Sequence, residues 1–181
     1  MLLSYNELYA VMESGVISPF NPDLINGASI DITLGADVYA EVVPLHYEQN
    51  VDLSRKEQPT LRKHTTTGKG YILRPDGFVL AQSQQVFNLP SDIALLFSLK
   101  SSIARAGLDH LKAGWGDPWW HNSVLTLELK STLRYHNLKL REGMRIGQVS
   151  LFRCEPVPEQ FGYKARGRYN NNLSVEQTKG V

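Results

Sequence analysis

Four stretches of the chain carry residues whose types and spacing could do chemistry. In Val124-Leu125-Thr126-Leu127-Glu128-Leu129 a carboxylate sits inside an apolar, alternating run. Leu125, Leu127 and Leu129 share one face of a strand, and Thr126 and Glu128 share the other. Two readings of Glu128 stand on this pattern. It is an outward-facing glutamate on an amphipathic strand, or a carboxylate set into a pocket, where it could act as a general base. In Ser98-Leu99-Lys100-Ser101-Ser102-Ile103-Ala104-Arg105, a lysine beside two serines falls at a strand-to-helix transition. Hydroxyls, backbone N–H groups and an ammonium there suit phosphate oxygens. The same Ser-Ser pair would equally cap a plain helical turn.

Upstream of Glu128, Ala113-Gly114-Trp115-Gly116-Asp117-Pro118 is a turn in which glycines let backbone approach a ligand closely. His121, just past two tryptophans, reads as packing or rim rather than as catalytic. Glu142-Gly143-Met144-Arg145-Ile146-Gly147-Gln148 leads from a turn into a strand and ends in an amide that could touch phosphate. The tail, Tyr163-Lys164-Ala165-Arg166-Gly167-Arg168-Tyr169-Asn170-Asn171-Asn172, sets cations and aromatic rings around a glycine, as a lid over a triphosphate would. Neither of these last two is specific alone.

The elements that must position these groups are mostly short strands. Residues 4–14 predict an opening helix, with Ser4 and Glu7 as a capping box and Gly15 as the stop. Ile30, Ile32 and Leu34 alternate with Asp31 and Thr33, which is a strand pattern. Residues 45–70 read as a long polar excursion, with a short hairpin possible and with Lys56, Arg62, Lys63 and His64 as a solvated face. Short strands are predicted at 71–73, 78–81, 85–89, 94–99, 123–129, 138–140 and 146–152, with helical turns at 101–107. Runs of this length at close spacing argue for a sandwich or barrel rather than βαβ units. The expectation is one mainly-β domain spanning 1–181, a distorted β-barrel or jelly roll with a short N-terminal helix. Residues 160–181 read as a tail that frays or that orders over a ligand.

Composition narrows the function classes. The 181 residues are 42% hydrophobic and 20% charged, ordinary for a globular protein. The net charge of +1 leaves no global footprint for nucleic acid, so any anion site must be local. No apolar run approaches the ~18 residues of a membrane span, and the acidic, non-basic start does not resemble a secretory signal; a cytoplasmic protein is the simplest expectation. The single cysteine, Cys154, rules out an intramolecular disulfide and the Pro-Cys-x-x-Cys half of a zinc deaminase site. Cys154 itself is expected to pack at the end of a buried strand.

In this order and spacing, the segments resemble the dCTP deaminases, members of the trimeric dUTPase-like superfamily, over nearly the whole chain. Asn26-Gly27-Ala28-Ser29-Ile30-Asp31-Ile32-Thr33-Leu34-Gly35 is similar to that family's early strand. Ser101-Ser102-Ile103-Ala104-Arg105 and the stretch from Ala113-Gly114 to Glu128 are its most specific motifs. The resemblance implies a homotrimer with active sites between subunits. Glu128 would activate the water that attacks C4 of cytosine. Ser101 and Arg105 would reach in from a neighbouring subunit. The main chain at Ala113 and Gly114 would read the base, and Asp117 would meet the deoxyribose 3′-hydroxyl. Lys100, Ser102, Gln148, Tyr163, Arg168 and Asn172 would hold the triphosphate, with Mg²⁺ bound through phosphate oxygens and no zinc.

Three departures stand out. The family's Asp-Pro-Gly-aromatic-x-Gly becomes Asp117-Pro118-Trp119-Trp120-His121-Asn122, without either glycine. Lys100 replaces the usual arginine, keeping the charge and losing the planar fork. Asn172 stands where a glutamine is common. The leading expectation is deamination of dCTP to dUTP and ammonia. The alternatives are a dUTP diphosphatase, or an enzyme performing both steps, and a nucleotide-sensing protein without catalysis. Asp117 does not separate the first two, because both classes carry an aspartate there.

Overall fold

Strand pairing dominates the computed structural model, which describes residues 1–43 and 50–179. Its elements in chain order are α1 (Tyr5–Glu13), β1 (Ile17–Ser18), β2 (Ile30–Glu41), β3 (Leu61–Thr65), β4 (Tyr71–Leu73), β5 (Phe78–Asn88) and β6 (Ile93–Leu99). They continue with α2 (Ser101–Arg105), β7 (Leu108–His110), β8 (Trp115–Gly116), β9 (His121–Ser131), β10 (Leu138–Leu140), β11 (Arg145–Arg153) and α3 (Tyr163–Arg166). One sheet runs β7-β9-β5-β2-β11-β6-β8, with β1 added to β5 and β3 to β2; β10 and β4 form a separate pair. All pairings are antiparallel, and the sheet curls into a half-barrel, the mainly-β architecture expected. Among the described residues, no helix is long and apolar enough to cross a membrane.

The core is the alternating apolar set of these strands: Ile30, Ile32, Leu34, Leu95, Leu127, Leu129, Val149 and Leu151 are almost fully buried. Helix α1 closes one side with Leu8, Val11 and Met12. Its start is tied by Glu7 Oε2, which accepts from the Ser4 backbone N–H at 3.2 Å.

Two expectations about strands are corrected, and β2 is longer than its alternating run, continuing past Gly35 to Glu41. A Cβ on Gly35 would lie 2.7 Å from Gln82 Cγ, so the missing side chain lets two strands cross closely, and the register shifts between Leu34 and Val38. The runs 78–81 and 85–89 form one strand, β5, interrupted only by an irregularity between Gln82 and Val86. Ser83 bridges it: Oγ donates to Gln85 O at 2.7 Å and accepts from Leu125 N at 2.9 Å. A polar stretch thus marks a bulge rather than a break. Cys154 does not pack in a strand; it is exposed, one residue past β11, where the chain leaves the sheet.

In the polar excursion, β3 pairs with β2 rather than with a hairpin partner, and Lys63 forms an ion pair with Asp37 at 2.9 Å. Residues 44–49 of that excursion lie outside the described residues.

Candidate active site

Pairing of β9 with β5 sets Glu128 opposite Leu80. Leu125, Leu127 and Leu129 point into the core, while Thr126 and Glu128 take the other face and line a cavity of about 510 Å³. Phe78 and Leu80 of β5, Leu61 of β3 and Trp115 beside β6 make its walls largely apolar. Of the two readings of Glu128 left open by the alternation, the structure takes the pocket.

Glu128 also touches a buried residue, outside the cavity lining, that the sequence did not single out. His110, at the end of β7, is 5% exposed, and its Nε2 lies 3.2 Å from Glu128 Oε2. Its Nδ1 accepts from the Lys112 backbone N–H at 3.2 Å. A neutral imidazole with Nδ1 accepting carries its proton on Nε2, the nitrogen that faces the carboxylate. The approach is within ion-pair distance but is not aligned as a full hydrogen bond, and neither atom has another hydrogen-bond partner. Leu111 N donates to the Glu128 carbonyl at 3.1 Å, so the same segment also fixes the Glu128 main chain.

Two residues around the start of β9 take backbone that favours glycine. Trp119 has φ +69° and Asn122 φ +48°, both in the left-handed region. Trp119 is held there by its own ring: Nε1 donates to Val157 O at 2.7 Å, and the indole lies so close to Gly162 that a Cβ at that position would be 2.1 Å from Trp119 Cδ1. Trp120 stacks on Phe87 with ring centroids 5.4 Å apart and donates to Tyr169 O at 2.8 Å. His121 contacts Trp119 O through Nδ1 at 3.2 Å and does not line the cavity. Asp117, exposed, accepts from Trp115 Nε1 at 2.8 Å. Ala113 lines the cavity, and Gly114 abuts Phe97, whose N–H donates to the Gly114 carbonyl at 2.7 Å.

Through residue 179 the tail packs on the body of the fold. At the start of α3 Tyr163 N donates to Pro118 O at 3.0 Å, and after α3 the chain runs along β9, with Asn171 N donating to His121 O at 3.2 Å and Val124 N to Asn172 O at 2.9 Å. Val175 is buried, with its N–H on Gln82 Oε1 at 2.9 Å. Tyr163, Tyr169, Asn172 and Glu176 therefore line the Glu128 cavity. Burial pushes the Tyr163 phenol above its usual range. Glu176 brings a second carboxylate to the cavity, paired with Lys179 at 2.8 Å. The Arg168 side chain is exposed and does not line the cavity; its carbonyl accepts from Lys179 Nζ at 2.6 Å.

The remaining candidates collect elsewhere on the chain. Ser101, Ser102 and Arg105 are exposed on α2, and none of them lines the Glu128 cavity. Lys100, at the end of β6, places Nζ 2.6 Å from Asp31 Oδ1. Gln148 on β11 pairs with both Ser98 and Asp31, and its Oε1 accepts from Ser29 Oγ at 3.0 Å. One chain thus presents two separate groups, a carboxylate pocket and a cation–hydroxyl cluster. Among the described residues, no three His, Cys, Asp or Glu side chains converge as a metal site.

Comparison with known proteins gives this arrangement a family. A dCTP deaminase-like family model matches residues 2–154. Similar proteins named "dCTP deaminase, dUMP-forming" include that of Acidothermus cellulolyticus, 40% identical over 173 residues that cover 92% of this chain and 88% of the relative. That of Streptomyces griseus is 40% identical over 183 residues, covering 98% and 92%. The crystal structure of 2′-deoxycytidine 5′-triphosphate deaminase from Agrobacterium tumefaciens matches with a TM-score of 0.63 at 17% identity, over 83% of this chain and 47% of that one. This chain therefore spans about half of that solved chain, and the likeness concerns the fold. By the family match and the identity to these relatives, the chain belongs to the dCTP deaminase-like family.

Proposed function

We propose that the protein deaminates dCTP and then cleaves the triphosphate, so that dCTP and two waters become dUMP, ammonia and pyrophosphate. The observation that carries the first step is Glu128: a carboxylate lining a largely apolar cavity, with its Oε2 buried 3.2 Å from His110 Nε2. Glu128 takes a proton from a water that attacks C4 of cytosine. It returns protons to N3 and to the departing amine, which leaves as ammonia. The second step rests on the relatives' printed name, dUMP-forming, which favours the two-step alternative over release of dUTP. In our reading Asp117, which the family resemblance sets at the deoxyribose 3′-hydroxyl, positions the second water.

Ser101 and Arg105 do not line their own chain's Glu128 cavity. In our reading they complete the cavity of a neighbouring subunit in a homotrimer, where they orient the water and offset charge on the base. Lys100, Ser102 and Gln148 hold the triphosphate from that side, and Tyr163, Arg168 and Asn172 hold it from the tail. These groups are mainly cations, hydroxyls and amides. They fit a Mg²⁺ that arrives on phosphate oxygens rather than one held by a protein cage.

The test is product analysis of purified protein with Mg²⁺ and dCTP, and separately with dUTP. Ammonia, pyrophosphate and dUMP together support the proposal. Ammonia with accumulating dUTP, and dUTP left intact when supplied, would restrict the activity to deamination. No product from either nucleotide would overturn it.

A further inference from the structure

Asp31 is 1% exposed in β2, and its carboxylate draws two cations where one would neutralise it. Lys100 Nζ lies 2.6 Å from Oδ1, and Arg145 Nη1 lies 3.3 Å from Oδ2. Asn26 Nδ2 adds a bond to Oδ1 at 2.9 Å. A buried carboxylate needs a counter-charge and satisfied lone pairs, and Lys100 with Asn26 already supplies both kinds of contact on one oxygen. The second cation leaves the trio with a net positive charge. That charge reaches solvent, because the Arg145 side chain is 49% exposed. Its contact with Asp31 uses one of the five N–H donors of a planar guanidinium.

The neighbours point the same way. Gln148 stands directly across the ladder from Asp31. Ser29 Oγ donates to its Oε1, so the amide keeps its N–H₂ as a donor. The cluster therefore offers an ammonium, a guanidinium and an amide N–H₂, while its one carboxylate is buried beneath them. Such a surface recognises an anion with several oxygens. Lys100 meets it as a point charge, whereas a guanidinium can pair two phosphate oxygens at once.

We propose that the Arg145 guanidinium is a further phosphate-binding residue, held in place by Asp31 and acting beside Lys100 and Gln148. This rests on the reading of that cluster as the triphosphate site, and it adds a residue which that reading did not include.

Inorganic tripolyphosphate with Mg²⁺ tests it on the full chain by calorimetric titration, alongside dCTP kinetics. Wild-type protein should bind tripolyphosphate. Arg145→Gln should weaken that binding by about tenfold, the size of one charge-assisted hydrogen bond, with the loss appearing in KM for dCTP more than in kcat. Arg145→Lys keeps the charge and the Asp31 partner, so it serves if the glutamine variant fails to fold; it should lose about threefold with the fork. Unchanged affinity in either folded variant, or no binding by wild type, would overturn the proposal. Tripolyphosphate carries no base. Binding that depends on Arg145 in a protein that releases no ammonia would sink the deaminase reading and leave this one standing.

Discussion

His110 Nε2 lies 3.2 Å from Glu128 Oε2, and both atoms are otherwise without a hydrogen-bond partner. A buried contact at this distance, short of an aligned hydrogen bond, restricts how the carboxylate can turn, so His110 acts as a positioning residue for it. His110→Ala should lower kcat by about 10- to 100-fold, the cost of a misplaced catalytic group, with a smaller change in KM. His110→Gln, which can still donate from a similar height, should recover part of the loss. A purely structural role predicts instead a lower melting temperature in both variants with kcat per folded molecule unchanged.

Glu128→Gln keeps the shape of the side chain and removes the base. Ammonia release should fall by at least about 100-fold, while dCTP still raises the melting temperature. Turnover near the wild-type rate would remove Glu128 from the mechanism.

Trp119 occupies a left-handed backbone at φ +69° and contributes its ring to the tail. Trp119→Ala loses the ring and keeps the strain, whereas Trp119→Gly loses the ring and relieves it. The alanine variant should therefore be less stable than the glycine variant by about 1 kcal/mol. Both should expose the tail around Gly162 to limited proteolysis. Equal melting temperatures for the two would show that the turn is not strained.

Tyr163 provides a test by pH. Burial raises its phenol pKa above the ordinary 10.0, so the folded state holds the proton where the unfolded chain has begun to release it. Its contribution to stability is complete below pH ~10 and is lost as pH rises through the higher folded value. The melting temperature should fall from about pH 10 upward, and Tyr163→Phe should flatten part of that decline. A decline unaltered by the substitution would assign it to other groups, Tyr71 among them, whose phenol is also raised by burial.

The sequence made legible whatever obeys a short period. Tyr71–Leu73 and Leu138–Leu140 matched their strands to the residue, and the side of β9 that Glu128 occupies followed from alternation with three leucines. What escaped depends on contacts between distant segments. Strand β5 was divided because Ser83 repairs its ladder only in the fold, by accepting from Leu125. The run of β2 beyond Gly35 carries no such signal, because the close approach of Gly35 to Gln82 is invisible in one dimension. His110 carries no spacing signal, since its approach to Glu128 arises from the pairing of β7 with β9. Trp119 and Asn122 adopt a left-handed backbone without being glycine, which residue type alone does not foretell.

The division of Ser101 and Arg105 from the Glu128 cavity has a genetic consequence. If each cavity borrows these groups from a neighbour, two inactive proteins can repair one another. Chains carrying Glu128→Gln and chains carrying Arg105→Ala, each silent when assembled alone, should regain turnover once their subunits exchange, because some cavities then combine an intact carboxylate with an intact arginine. A mixture that stays silent after exchange would mean that each chain builds its chemistry unaided.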